Sequence, residues 1–216
     1  MKRLKQLGII MLILIIGGCG MNHNPDQKDQ RAAANNWPDT LAFTDEFTRG
    51  FMDSTEEVQD GYYLFKSKTN GYTMLFPVNG KISDMSYEKT EDYDESFIFG
   101  SNEKGNISYE YQISYENSPI TENIDANLDL LSIMASYQGE YETFEHEDKT
   151  YYFAKNSDKT KKGKYYSFFS YIKSKENEKA IMFYSRSFCT NSNQKCAASS
   201  PEVEDKLLML MKSVNF

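Results

Sequence analysis

The run NISYEYQISY, Asn106 to Tyr115, sends Ile107, Tyr109, Tyr111, Ile113 and Tyr115 one way and Ser108, Glu110, Gln112 and Ser114 the other. Successive side chains of a strand point to opposite faces, so this alternation predicts a strand with one buried and one wet face. A strand of that kind belongs to an antiparallel sheet covered on one side.

The flanking segments extend the sheet. Upstream, SFIFGS reads as a short strand, joined to the run by the turn NEKG, and the acidic stretch Tyr87–Ser96 reads as a loop before it. YYLFKS and YTMLFP flank KTNG, whose Asn70-Gly71 is a strong hairpin signal, and Pro77 ends the second strand. Phe43, Phe47 and Phe51 recur at helical spacing, with Gly50 interrupting them. Downstream, a helix follows ENSPITEN, with Ile124, Leu128, Leu131 and Met134 (and Ala135) as its apolar face and Gly139 as its stop. EYETFEH, TYYFAKN, KYYSFFSYIKS and KAIMFYSRSF then read as strands of a meander, separated by HEDK, SDKTKKG and SKENE. The chain closes on a capped amphipathic helix. Ser200 precedes Pro201, acidic residues fill the first turn, and Val203, Leu207, Met211 and Val214 form its stripe. The sum is an α+β fold, an antiparallel sheet with helices packed on it.

This order resembles the PsbP-like α/β/α sandwich. The shared features are GYTMLFP early in the domain, a mid-chain helix before a strand meander, and a closing helix ending SVNF. They span most of residues 60–216. The resemblance implies a binding or assembly role rather than a reaction.

The N-terminus carries an address. Lys2, Arg3 and Lys5 precede LGIIMLILII (Leu7–Ile16), the charged-then-apolar order of an export signal. The apolar part falls short of the about 20 residues that span a bilayer. An uncleaved membrane anchor is the alternative. Ile16-Gly17-Gly18-Cys19 resembles the lipobox of bacterial lipoproteins. That resemblance implies a diacylglyceryl group on the Cys19 sulfur and cleavage after Gly18. Each buried CH₂ contributes about 0.8 kcal/mol, so two acyl chains hold stably where one does not. The expected organisation is a signal peptide over 1–18, a polar tether over 19–37 and one domain over 38–216, held at the cell membrane on its extracytoplasmic side.

Loss of the signal removes three positive charges. The net charge then moves from −8 to −11, with 21 basic residues against 32 acidic ones. So acidic a chain argues against nucleic acid and against charge-driven binding to anionic lipid. Outside the cytoplasm disulfides persist, and Cys189 and Cys196 flank the turn-rich TNSNQK. A bridge there would contribute roughly 2.5 kcal/mol; free thiols are the alternative. Their spacing fits no zinc pattern, and His23 and His146 lie far off in sequence.

No catalytic centre is readable. Glu88, Glu91, Asp92, Asp94 and Glu95 could hold calcium, but they lack the ligand spacing and glycine of an EF-hand loop, so they read as a solvated loop. Glu140, Glu142, Glu145, Glu147 and Asp148 read as outward and turn residues rather than a hydrolase pair. His146 sits at a turn, without a nucleophile elbow, HExxH helix or phosphate loop to support it. The basic run Lys159–Lys164 reads as a hairpin tip, and contact with anionic polymers or head groups stays open. Tyr151-Tyr152 and Tyr165-Tyr166 must send one ring to each face, for partner contacts or for covering edges and seams. We expect no enzyme, metal or cofactor. The expected function is that of a lipid-anchored accessory protein binding a protein partner or envelope component. The alternative is a carrier of a small or apolar ligand in an internal cavity.

Overall fold

A computed structural model describes residues 37–103, 106–160, 163–190 and 197–216. The elements, in chain order, begin with two helical turns, α1 (Leu41–Thr44) and α2 (Glu46–Arg49). The hairpin β1 (Tyr62–Lys66) and β2 (Thr73–Pro77) follows, then the short strands β3 (Gly80–Ile82) and β4 (Glu88–Thr90). Next come β5 (Asp94–Glu103), β6 (Ile107–Asn117) and the helix α3 (Ile124–Ala135). The meander β7 (Glu142–His146), β8 (Lys149–Thr160), β9 (Gly163–Ser174) and β10 (Lys179–Cys189) precedes the closing helix α4 (Pro201–Lys212).

The alternating run becomes β6, inside an eight-stranded antiparallel sheet ordered β3-β5-β6-β10-β9-β8-β7, with β4 also on β5. Tyr109, Tyr111, Ile113 and Tyr115 are buried, as the alternation predicts. Their face is covered by the β1–β2 hairpin, α1, α2 and α4, whose Phe43, Phe65, Phe76, Leu207 and Met211 share one core with it. On the opposite face, α3 packs Leu131 and Ala135 against Ala154, Phe169, Tyr171, Ala180 and Tyr184. Helices therefore lie on both faces of the sheet. Each large side chain buried in these layers contributes about 2 kcal/mol.

Four local expectations change. The Phe43–Phe51 stripe is not one helix, because Asp45 is extended (ψ 118°) and restarts the chain by accepting hydrogen bonds from the Thr48 amide (3.0 Å) and hydroxyl (2.7 Å). The Asn70-Gly71 hairpin forms, with a loop from Ser67 to Tyr72 that is one residue longer at each end than KTNG. Asn70 takes the left-handed conformation (φ 55°). Gly71 serves close approach instead, since a Cβ there would come within 2.2 Å of the Tyr115 hydroxyl. α3 packs the predicted face inward, with Leu131 and Ala135 buried and Ile124, Leu128 and Met134 partly buried against the same cluster, and Asn127 joins them. Its stop is left-handed Ser136 (φ 50°) rather than Gly139.

The fourth change concerns the acidic stretch. It is a hairpin, β4 paired with β5 about Glu91 (φ 46°). The register puts Glu95 opposite Tyr115, on the inward face with Phe97 and Phe99. Glu95 is fully buried. Its Oε1 accepts hydrogen bonds from the Lys68 amide and the Tyr87 hydroxyl, both at 3.0 Å, whereas Oε2 has no hydrogen-bond partner among the described residues.

Burial raises the Glu95 carboxyl above its ordinary range, against the pull of its hydrogen bonds. A raised folded value means that ionisation costs stability. The penalty is absent at low pH, grows as pH rises from the ordinary glutamate value to the raised one, and is complete above it. Glu95→Gln keeps the shape and removes the charge. The variant is expected to gain about 1 kcal/mol, a rise in Tm of about 2–4 °C at neutral pH, and little near pH 4, as read by calorimetry at both.

Candidate functional site

The polar face of β6 leads to the surface of interest. Glu110, Gln112 and Ser114 are half-buried, although the intervening residues are sealed. The reason is that α3 packs over β9 and β10 and leaves β5 and β6 open on this face. The register lines up Gly100, Glu110 and Arg186 in one row, Ile98, Gln112 and Tyr184 in the next, and Ser96, Ser114 and Met182 in the third. The result is a strip of mixed character, with polar Glu110, Gln112, Ser114 and Arg186 beside Ile98, Tyr184 and Met182.

Arg186 is fixed on this strip. It pairs with Glu110, and its guanidinium lies 5.5 Å from the Tyr165 ring and 5.8 Å from the Tyr184 ring. Tyr184 is itself held by a 3.0 Å hydrogen bond with Ser167. A guanidinium stacked between rings is preorganised and less hydrated than a free one, which suits contact with a planar or anionic group.

α3 stands beside the strip. Its buried line uses Leu131 and Ala135, yet Leu130 is 57% exposed and Ile133 77% exposed. With exposed Ala126 they recur at i, i+4, i+7, a second apolar stripe on the helix. Exposed Asp125 and Asp129 flank it. Ser132 shares a 2.9 Å hydrogen bond with Tyr141, which leads into β7. At 100° per residue, Leu130 therefore falls on the flank toward β10 and β6.

The other residues singled out by sequence have structural duties. Glu147 (3.3 Å) and Asp148 (2.6 Å) pair with buried Lys149, and Glu145 pairs with Lys175 (3.2 Å). The hydrogen bond from Lys149 holds the Asp148 carboxyl below its usual range. His146 is exposed at the end of β7. Lys159 and Lys164 face each other at the β8–β9 tip, while Lys161 and Lys162 lie outside the described residues. Tyr151 is buried and Tyr152 half-buried, and Tyr165 and Tyr166 are both half-buried. Half-buried Cys189 ends β10; Cys19 and Cys196 lie outside the described residues.

The main core is filled by rings in contact, Phe51–Phe65 at 5.4 Å, Phe65–Phe97 at 5.2 Å and Phe99–Tyr111 at 4.3 Å. A groove of ≈ 430 Å³ between β2 and α4, lined by Leu75, Leu208, Met209 and Lys212, opens to solvent. Among the described residues no group of three or more His, Cys, Asp or Glu could hold a metal ion. No helix among them is long and apolar enough to cross a membrane.

Sequence reasoning missed Leu130 and Ile133. The available signal was the excess of apolar residues in IDANLDLLSIMA, more than one face of a helix can bury.

A protein of Bacillus subtilis (strain 168) described as "Putative lipoprotein YvcA" is 32% identical over the whole of this chain and 97% of its own length. A crystal structure from Bacteroides thetaiotaomicron VPI-5482 aligns with a TM-score of 0.43 and 11% identity, over 73% of this chain and 48% of its own. The family described as "Putative lipoprotein YvcA" matches residues 38–215. The chain belongs to this bacterial lipoprotein family.

Proposed function

We propose that this lipoprotein is a non-catalytic accessory protein of the cell envelope, held by lipid on Cys19 and facing the extracytoplasmic side, whose domain binds a protein partner or an envelope component. The observation that carries this reading is the open strip of β5 and β6 beside an α3 that shows apolar side chains to solvent. Monomeric surfaces keep contiguous apolar patches small, and larger ones mark interaction sites. The carrier alternative draws less support, because stacked rings fill the space an internal ligand would need.

Crosslinking of the full-length lipoprotein in intact cells, followed by affinity capture, is expected to return one reproducible partner. Native mass spectrometry that instead finds an apolar small molecule bound, with no crosslinked partner, would overturn the reading in favour of a carrier.

The anchor has its own test. Cys19→Ala is expected to abolish incorporation of labelled fatty acid and to leave the signal uncleaved. A variant that still takes up label would place the lipid elsewhere.

We also propose that Cys189 and Cys196 form a disulfide closing the segment after β10. Thiol titration of the unfolded, unreduced protein is expected to find neither sulfur free. Two reactive thiols would remove the bridge.

A further inference from the structure

α3 is an unusual covering helix, because apolar residues point both into the domain and away from it. The inner face, Leu131 and Ala135, satisfies the sheet. The outer stripe, Ala126, Leu130 and Ile133, has no cover among the described residues. A helix apolar on both faces is ordinarily packed on both. The charges around the stripe restrict what can pack there. From Ser118 to Asp148 the chain carries Glu122, Asp125, Asp129, Glu140, Glu142, Glu145, Glu147 and Asp148, and no Lys or Arg. Three lysines pair with four of them: Lys149 with both Glu147 and Asp148, Lys173 with Glu122, and Lys175 with Glu145. Asp125 and Asp129, which border the stripe, have no salt bridge among the described residues.

Three occupants can be weighed. A second copy related by a two-fold axis would bring Asp125 and Asp129 against the same acidic border, and like charges across an interface are repulsive. An anionic bilayer is repelled for the same reason. That leaves a protein whose contact surface has an apolar centre and Lys or Arg at its border.

We propose that the outer stripe of α3 is the docking face of this lipoprotein, and that its partner is a protein presenting apolar side chains bordered by basic residues. Leu130 and Ile133 supply the desolvated centre, and Asp125 and Asp129 supply the orienting charges. This rests on the accessory-protein reading and specifies its surface.

The test uses the full-length lipoprotein in cells, with a benzophenone amino acid placed at Ile133, and at exposed Met85 before β4 as a control. Both positions face solvent, so neither change disturbs the core. The expected result is a protein adduct from position 133 and none from 85. The partner's crosslinked segment should contain Lys or Arg, and Asp129→Lys should lower the adduct yield about tenfold. Asp129 lies beyond the first turn, so this reversal leaves the helix N-terminal charge intact, and an unchanged melting temperature confirms folding. A lipid adduct, an adduct to a second copy, or a yield indifferent to Asp129→Lys would each overturn the proposal. An adduct from 85 alone would overturn it while sparing the accessory reading. Adducts from neither position, together with no captured partner in the crosslinking above, would overturn both.

Discussion

Tyr109, Tyr111, Ile113 and Tyr115 leave β6 on one side, and the layers of the domain are arranged about that side. Four large side chains in register cannot be covered by a single helix. The domain covers them with a hairpin, two broken helical turns and the C-terminal helix. Tyr115 sets the tightest condition, because its hydroxyl reaches the backbone of the hairpin loop at Gly71. One strand thus fixes both which face is sealed and how closely the hairpin can approach.

That same choice of tyrosine has a cost. Among the described residues, the buried hydroxyls of Tyr72, Tyr115 and Tyr151 have no hydrogen-bond partner, and neither has Oε2 of Glu95. An unpartnered buried polar group costs about 1–3 kcal/mol. Burial pushes the phenols of Tyr109 and Tyr115 up to about 12, so the rings stay neutral across physiological pH. The apolar area of the rings and their stacking offset these losses, leaving a core that is tight in shape yet imperfect in polarity.

How far sequence reasoning reached depended on how local the signal was. β6, the meander and α4 were readable because their periodicity is strong over nine or more residues. β3 was not, since Gly80–Ile82 is too short to show a period. Glu95 was misjudged because a run of acidic residues looks solvated, while a two-residue register decides which of them turns inward. α3 was identified together with its packed face, since Ile124, Leu128, Leu131, Met134 and Ala135 all lie in or against the second core cluster. Asn127 joins that face because its side-chain amide donates to the carbonyls of Ile120 (3.0 Å) and Asn123 (2.8 Å), a bond that periodicity does not register. The candidate surface was illegible because Leu130 and Ile133 lie outside the single apolar face that the periodicity marks.

The sheet ends in β7 on one side and in β3 and β4 on the other, and Thr48 of α2 covers the β3 edge by accepting a hydrogen bond from the Ile82 amide (2.9 Å). β7 carries Glu142, Glu145 and His146, and the opposite border carries Lys81, Glu88 and Lys89. Charged edge strands resist pairing with the edges of other molecules. This matters more for a lipoprotein than for a freely diffusing protein. Molecules tethered to one plane meet far more often than the same number dispersed in a volume. The charged borders keep such crowded neighbours from zipping into a continuous sheet.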